Sequence, residues 1–114
     1  SRIDFRKLFK FKILSYAKGG FYVPHIDFIN EKRAGYLDLK MPGNRIATAI
    51  VALRRAKRGG GLTFPYLSST VMLNAGDVVL FFNETPDKKV DILSTHASCP
   101  VLDGVKLGAT LWIH

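Results

Sequence analysis

Three residues of this chain carry side chains that could together hold a metal ion. His25 and Asp27 lie two positions apart in the stretch "GGFYVPHIDFIN", and His96 lies much further along the chain in "STHASCP". Residues two apart on an extended strand project from the same face, so the imidazole of His25 and the carboxylate of Asp27 would point together. Two histidines and one carboxylate can bind Fe(II) and leave other coordination positions open. Taken alone, the pattern is a weak signal, and ordinary structural histidines explain most patterns of this kind.

The closing segment "KLGATLWIH" holds a second group of informative residues. In a strand, its aliphatic members, Leu107 among them, would share one face for packing. If Lys106 faces the interior, it needs an anionic partner, because an unpaired buried ammonium is energetically costly. A small dicarboxylate would satisfy that need. The alternative is that the lysine extends its ammonium from a solvated face. The residues of the non-aliphatic face are Lys106, Gly108, Thr110, Trp112 and His114.

The elements that must position these side chains are predicted to be short strands. Alternating polar and apolar residues predict a strand over residues 9–16, a second extended run covers 21–28 with Pro24 at an edge, and a buried strand covers 45–53. The segments "LTFP", "STVML", "VVLFF" and "KLGATLWIH" predict further strands, with turns at "RRAKRGGG" and "NAGD" and a long loop over residues 30–43. This pattern predicts an all-β sandwich or barrel.

Composition indicates one globular domain that spans residues 1–114. The hydrophobic content of 47% and the charged content of 23% are ordinary for such a domain. No apolar run has the length of a membrane helix, so no membrane span is expected. The single Cys99 excludes an internal disulfide and a cysteine-based zinc site.

The chain is strongly basic, with 17 Lys and Arg against 9 Asp and Glu and a net charge of +8. Such an excess is typical of proteins that contact polyanions. The charge is concentrated at the start of the chain and in "RRAKR" at residues 54–58, and neither stretch matches a nucleic-acid motif. We interpret both as solvated surface, and nucleic acid is not an expected partner.

In order along the chain, the motifs "GGFYVPHIDF", "GNRIAT", "AGDVVLFFN" and "HASCPVLDGVKLGATLWIH" resemble the collagen-modifying prolyl 4-hydroxylases. These are Fe(II)- and 2-oxoglutarate-dependent dioxygenases, and the resemblance covers residues 13–114. It implies a double-stranded β-helix, a jelly-roll barrel of the cupin type. Two departures are the basic "RRAKRGGG" stretch, which is usually polar or acidic in the family, and Leu107, where an aromatic residue is common.

The resemblance also implies a role for individual residues. His25, Asp27 and His96 correspond to the iron ligands of the family. Lys106 corresponds to the cation that binds the distal carboxylate of 2-oxoglutarate, and two further residues contact the same carboxylate. Four more residues correspond to family positions associated with the peptide substrate. The carboxylate contacts are Tyr16 and Thr110, and the substrate positions are Tyr22, Arg45, Trp112 and His114.

The activity that the resemblance implies is hydroxylation of peptidyl proline at C4 in collagen-like or proline-rich chains. Fe(II), 2-oxoglutarate, O2 and L-ascorbate are the implied cofactors and cosubstrates, with succinate and CO2 as coproducts. It further implies the endoplasmic reticulum lumen or secretory pathway, a place in a larger oligomer, and supporting N-terminal helices that this sequence largely lacks. Two alternatives stay open: a related dioxygenase that acts on another peptide or on nucleic acid, and a non-catalytic barrel that serves as an interaction module.

Overall fold

The computed structural model describes residues 9–28 and 45–114, and the regular structure in these ranges is almost entirely β-strand. Two short 3₁₀ turns, Pro65–Leu67 and Ile92–Ser94, accompany the strands. No helix in the described ranges is both long and apolar enough to cross a membrane. The strands are β1 (Phe9–Tyr16), β2 (Tyr22–His25), β3 (Ala47–Arg54), β4 (Arg58–Gly59), β5 (Leu62–Phe64), β6 (Ser69–Val71), β7 (Val78–Phe82), β8 (His96–Ser98), β9 (Val101–Asp103) and β10 (Lys106–Ile113).

The strands form two four-stranded antiparallel sheets. The order of the first sheet is β1-β10-β3-β7, the order of the second is β2-β8-β5-β6, and β4 pairs separately with β9. Apart from β5 and β6, neighbours in each sheet are not consecutive in sequence, as in a jelly roll, where strands from distant parts of the chain pair. The predicted all-β, double-stranded β-helix class is confirmed.

The two faces of the first sheet differ in chemistry. Directly opposed residues in antiparallel strands share a face. Thr110 is opposite Lys12 on one side and Ile50 on the other, and this row faces the second sheet. The next row, Phe11 to Leu111 and across to Leu80, faces outward, and Phe11 and Leu80 are 68% and 58% exposed. The outer face is therefore apolar and uncovered in the described part of the chain.

The interior between the sheets is unusually polar for so small a domain. Its larger buried apolar side chains are Leu62, Phe64 and Val101, and the other buried hydrophobic residues are alanines. Burying polar groups is unfavourable unless they are hydrogen-bonded or bind a ligand, so each of these groups requires one or the other. The buried polar residues are Asp27, Thr48, Asn83, Ser94, Thr95, His96, Ser98 and Thr110.

Most of the strands predicted from the sequence are present. The predicted strand over residues 9–16 matches β1, the predicted edge position of Pro24 is confirmed because β2 is the outermost strand of its sheet, and "NAGD" closes a turn in which Asp77 N donates to the Asn74 carbonyl. The strands β8 and β9 were not predicted, because neither "HAS" nor "VLD" shows an alternating or sustained apolar pattern. The predicted loop over residues 30–43 lies outside the described residues.

One local prediction needs correction. "RRAKRGGG" is not turn alone, since Arg58–Gly59 form β4 and pair with β9. Gly59 makes this pairing possible: its φ is +72°, and a Cβ there would overlap the Pro100 carbonyl. The pairing of β10 with β3 shifts between Leu107 and Gly108, but the register of β10 with β1 is unbroken there, so Leu107 keeps the predicted alternation with Lys106 and Gly108.

Candidate metal centre and active site

A pocket of about 350 Å³ lies between the inner faces of the two sheets. Its walls combine apolar residues of the strands with most of the polar residues singled out in the sequence. Both sheets contribute, so the pocket exists only when the two halves of the jelly roll are assembled. The predicted site residues that line it are Tyr16, Tyr22, His25, Asp27, Arg45, His96, Lys106, Thr110 and Trp112.

The three predicted metal ligands meet in this pocket. His25 and His96 are direct partners in the antiparallel pairing of β2 with β8, and Asp27 follows two residues after the end of β2. Nε2 of His25 lies 3.3 Å from Oδ1 of Asp27, and Nε2 of His96 lies 3.6 Å from Oδ2. One potential ligand atom from each residue lies within 4.8 Å of the other two. Strand pairing thus places residues distant in sequence at one point.

Both imidazoles are held in the same way. Nδ1 of His25 lies 2.8 Å from the carbonyl of Val23, and Nδ1 of His96 lies 2.7 Å from the carbonyl of Ser94. A carbonyl can only accept, so each Nδ1 carries the proton and each Nε2 is left with its lone pair. This is the arrangement in which histidines bind metals, because the backbone contact fixes both the tautomer and the ring orientation.

A buried chain of hydrogen bonds orients the carboxylate of Asp27. The hydroxyl of Thr48 donates to Oδ2 of Asp27 at 2.8 Å, and the side-chain amide of Asn83 donates to the Thr48 hydroxyl at 2.7 Å. Thr48 and Asn83 are both fully buried. Sequence reasoning missed both residues, although each lies in a quoted motif, Thr48 in "GNRIAT" and Asn83 in "AGDVVLFFN". The signal that could have revealed them is a polar residue at an inward-facing position of an otherwise apolar segment.

The electrostatics of the three residues favour a cation between them. Burial lowers the pKa of His25, but the Asp27 and Val23 hydrogen bonds outweigh it and raise the pKa above its ordinary value. Burial raises the pKa of Asp27, yet the His25 hydrogen bond, the nearby His96 and the Thr48 hydrogen bond hold it below its ordinary value. Burial lowers the pKa of His96. An anionic carboxylate therefore lies between two imidazoles.

These residues fit Fe(II). Two Nε2 lone pairs and a carboxylate within 4.8 Å of each other repel unless a proton or a metal ion lies between them. The raised pKa of His25 means that a proton in that position is held more tightly than on an ordinary imidazole. Two imidazoles and a carboxylate, with open space beside them, are the donor set of non-haem Fe(II) sites. In the described residues, this is also the one cluster of three or more such ligands.

Lys106 occupies the same pocket with its ammonium group directed inward. Nζ donates to the hydroxyl of Ser98 at 2.8 Å and lies 5.5 Å from the ring centroid of Tyr16. Burial lowers its pKa, which nearby Cys99 partly offsets, and no carboxylate of the described residues pairs with it. The predicted inward orientation is confirmed. A half-buried ammonium without a carboxylate is an anion-binding group.

Tyr16 and Thr110 flank Lys106 on the first sheet. Tyr16 is the direct partner of Lys106 in the pairing of β1 with β10, and Thr110 lies four residues further along β10 on the same inner face. Burial raises the pKa of Tyr16, and the neighbouring Tyr22 adds to the shift, so its hydroxyl stays protonated and can donate. Together the three residues offer an ammonium and two hydroxyls. Ser98 adds a third hydroxyl that sequence reasoning missed.

Three of the four predicted substrate residues also line the pocket. The ring of Tyr22 packs 4.2 Å from that of His25, and the guanidinium of Arg45 lies 3.9 Å above the indole of Trp112. The buried Nε1 of Trp112 has no acceptor within hydrogen-bond distance in the described part of the chain. His114, at the end of the chain, is not among the residues that line the pocket, so its role stays a prediction.

Comparison with known proteins agrees with this site. Residues 11–114 match the family model described as the 2OG-Fe(II) oxygenase superfamily. The chain is 35% identical over 103 residues to prolyl 4-hydroxylase subunit alpha-2 of Caenorhabditis elegans, covering 90% of this chain and 19% of that protein. It is 34% identical over 121 residues to probable prolyl 4-hydroxylase 7 of Arabidopsis thaliana, covering 90% of this chain and 37% of that protein.

Solved structures show the same relationship. A viral collagen prolyl hydroxylase from Paramecium Bursaria Chlorella virus-1, in a 2OG complex, superposes with a TM-score of 0.76 at 28% identity and covers 92% of this chain and 59% of that one. A cupin domain from Bordetella pertussis, at 14% identity and a TM-score of 0.57, covers 94% of this chain and 82% of that one and shares the fold alone.

The chain spans less than half the length of these curated relatives. Its match to the superfamily model nevertheless begins within β1 and ends at residue 114, so it includes most of β1, all of β2 to β10 and every residue of the metal cluster. The expected resemblance to the prolyl 4-hydroxylases is confirmed. We conclude that the chain belongs to the 2OG-Fe(II) oxygenase superfamily.

Proposed function

We propose that this domain binds Fe(II) and 2-oxoglutarate and hydroxylates peptidyl proline at C4 in collagen-like or proline-rich chains. The observation that carries the proposal is the meeting of His25, Asp27 and His96 within 4.8 Å in the pocket that also holds Lys106. A metal site and an anion site in one cavity match the two requirements of a 2-oxoglutarate dioxygenase. The named prolyl 4-hydroxylase relatives support proline as the target.

When bound, Fe(II) supplies the oxidising chemistry, in which O2 and 2-oxoglutarate yield succinate, CO2 and one oxygen atom for the substrate. The protein's own residues hold the reactants. Nε2 of His25, Nε2 of His96 and the Asp27 carboxylate would ligate the metal. The Lys106 ammonium would bind the distal carboxylate of 2-oxoglutarate, and the hydroxyls of Tyr16 and Thr110 would donate to the same carboxylate.

The aromatic residues beside the metal cluster would receive the peptide. Tyr22 and Trp112 offer apolar faces, and the free Nε1–H of Trp112 can donate to a backbone carbonyl of the substrate. Arg45 lies over Trp112 and would keep the indole in place. A proline-rich chain is already extended as polyproline II, so it loses little entropy when it binds such a surface.

Four further expectations are part of the proposal. L-ascorbate would act as the reductant that keeps the iron as Fe(II), and the protein would work in the endoplasmic reticulum lumen or secretory pathway as part of a larger oligomer. The family resemblance is what supports these three. The fourth is that supporting helices cover the outer face of the first sheet, and the exposed Phe11, Leu80 and Phe82 support it.

Mass spectrometry of a panel of proline-containing peptides incubated with Fe(II), 2-oxoglutarate and ascorbate tests the proposal. We expect one added oxygen per target proline and one succinate per oxygen, both absent in Asp27→Ala. Succinate formation without a modified proline would indicate a dioxygenase with another substrate. Metal binding with neither product would indicate the non-catalytic interaction module.

A further inference from the structure

The pocket wall carries more positive charge than the metal and 2-oxoglutarate require. In the described ranges, five cations and one carboxylate, that of Asp27, line the cavity. Bound Fe(II), the Asp27 carboxylate, doubly ionised 2-oxoglutarate and the Lys106 ammonium together carry no net charge. Four further cations line the cavity and are not included in that balance: Lys12, Arg45, Arg54 and Arg55.

These four cations lie along the wall formed by the first sheet. Lys12 is the direct partner of Thr110, and Arg54 is the direct partner of Leu107. Arg45 lies over Trp112, and Arg55 donates to Asn74 at 2.7 Å. Lys12, Arg54 and Arg55 are exposed, and within the described ranges no carboxylate pairs with them. Their charge is thus available to a ligand in the pocket.

We infer that the peptide substrate carries aspartate or glutamate residues close to the target proline. This inference rests on the proposed function and adds the charge of the substrate to it. Arginine binds carboxylates through two parallel hydrogen bonds, and lysine attracts them as a point charge. A cationic wall also raises the local concentration of acidic peptides and speeds their association.

A peptide fits this surface better than nucleic acid does. Proteins that bind single strands combine a continuous basic groove over several nucleotides with stacked aromatic platforms. Here the cations surround one cavity of about 350 Å³, and one of the two faces of Trp112 is already covered by Arg45. The charges are therefore placed around a single inserted residue and its neighbours.

Three peptides of equal length test the inference, each with the same central proline and with Glu, Gln or Lys on both sides of it. We expect the highest kcat/KM for the Glu peptide, at roughly two- to fivefold per charge, the range that exposed ion pairs give. The preference should shrink with added salt, because exposed charges are screened. Anisotropy of labelled peptides with protein loaded with Mn(II) and 2-oxoglutarate reports binding without turnover.

Charge-neutralising variants locate the effect. Lys12→Gln and Arg54→Gln should each lower the ratio of Glu-peptide to Gln-peptide binding by roughly two- to fivefold. Lys18→Gln is the matched control, since it removes the same charge from an exposed turn that does not line the pocket, and it should leave the ratio unchanged.

The outcomes separate the inference from the proposed function. Equal hydroxylation and equal binding of the three peptides, or identical ratios in Lys12→Gln, Arg54→Gln and Lys18→Gln, would overturn the inference while proline hydroxylation stands. A single-stranded oligonucleotide that displaces the Glu peptide at lower concentration than unlabelled peptide would also overturn it. If no peptide is modified but the Glu peptide still binds best, the charge inference holds and the proposed reaction fails.

Discussion

His25 and His96 face each other across the pairing of β2 with β8, and the centroids of their rings lie 4.3 Å apart. The ring of His96 also packs 4.8 Å from that of Phe81. Each imidazole is fixed at Nδ1 by a carbonyl of its own strand or turn, so both Nε2 atoms meet Asp27 before any metal binds. The metal site is preorganised, and the following predictions depend on that geometry.

His25→Ala should abolish metal-dependent 2-oxoglutarate turnover and leave the fold intact. The imidazole is half-buried at the end of an edge strand, so its removal opens little of the core. Loss of one of three protein ligands should weaken metal binding by more than about 100-fold, the upper end of what outer-shell changes produce. Calorimetric titration with Mn(II), succinate detection and circular dichroism check the result. Unchanged succinate production would contradict the ligand assignment.

Thr48→Val should weaken metal binding through Asp27. The substitution keeps the shape of the side chain but removes the hydroxyl that donates to Oδ2 of Asp27 and accepts from Asn83. We expect a loss of about 10- to 100-fold in Mn(II) affinity, as for other groups that orient a ligand. Thr48→Ser restores the hydroxyl and should recover most of the affinity. Equal affinities for the two variants would show that Thr48 only fills space.

Lys106→Ala should raise the KM for 2-oxoglutarate and change Mn(II) affinity little. A hydrogen bond to a charged group contributes about 1.5–3 kcal/mol, which corresponds to roughly 10- to 150-fold in affinity. Lys106→Arg keeps the charge but replaces the compact ammonium with a larger planar guanidinium, so its KM should fall between those of wild type and Lys106→Ala. An unchanged KM in Lys106→Ala would mean that the ammonium serves another ligand.

The stability of the metal-free protein should depend on pH through His25. Its pKa is raised above the ordinary value of 6.5, so the folded state binds the proton more tightly than the unfolded state. The stabilisation is then complete below pH 6.5 and is lost as the pH rises through the folded pKa. The lowered pKa of Asp27 acts in the opposite direction, and its stabilisation is lost as the pH falls below its ordinary value of 3.8.

The difference in Tm between wild type and His25→Gln, followed over pH, isolates this contribution. The difference in Tm should be largest between pH 3.8 and pH 6.5, the ordinary pKa values of Asp27 and His25, and it should decline in alkaline buffer. Saturating Mn(II) should reverse the trend, because the metal competes with the proton on His25 and binds more tightly as the pH rises. A difference in Tm that grows with pH in the absence of metal would contradict the His25–Asp27 contact.

Gly59→Ala should destabilise the domain much more than Gly76→Ala. Both glycines have positive φ, but a Cβ at Gly59 would overlap the Pro100 carbonyl and lie 2.9 Å from the Leu102 nitrogen, whereas one at Gly76 would meet nothing within 4 Å. We expect roughly 3 kcal/mol or more for Gly59→Ala and roughly 1–2 kcal/mol for Gly76→Ala. Urea unfolding measures both, and equal losses would contradict the β4–β9 contact.

Much of the fold and site could be predicted from the sequence, for identifiable reasons. Alternation along β1 and β10 is local information, and it correctly placed Lys106 and Thr110 on the inner face. The spacing of His25 and Asp27 likewise needed only the geometry of an extended chain. That His96 joins them could not follow from spacing, because it depends on the pairing of β2 with β8. The family resemblance supplied that step.

What the sequence did not predict depends on contacts between distant strands. Thr48 and Asn83 lie in different strand segments, and only the fold brings their side chains into one chain of hydrogen bonds with Asp27. The strands β8 and β9 were missed because "HAS" and "VLD" lack the alternation or apolar run that revealed the equally short β5 and β6.

Calorimetric titration of 2-oxoglutarate into metal-free and Mn(II)-loaded protein tests most directly whether one pocket holds both reactants. The arrangement of His25, Asp27 and His96 beside Lys106 predicts one 2-oxoglutarate per chain, tight binding only when the metal is present, and loss of that binding in both Asp27→Ala and Lys106→Ala. Equal binding of 2-oxoglutarate with and without metal, or binding that survives both substitutions, would contradict the account.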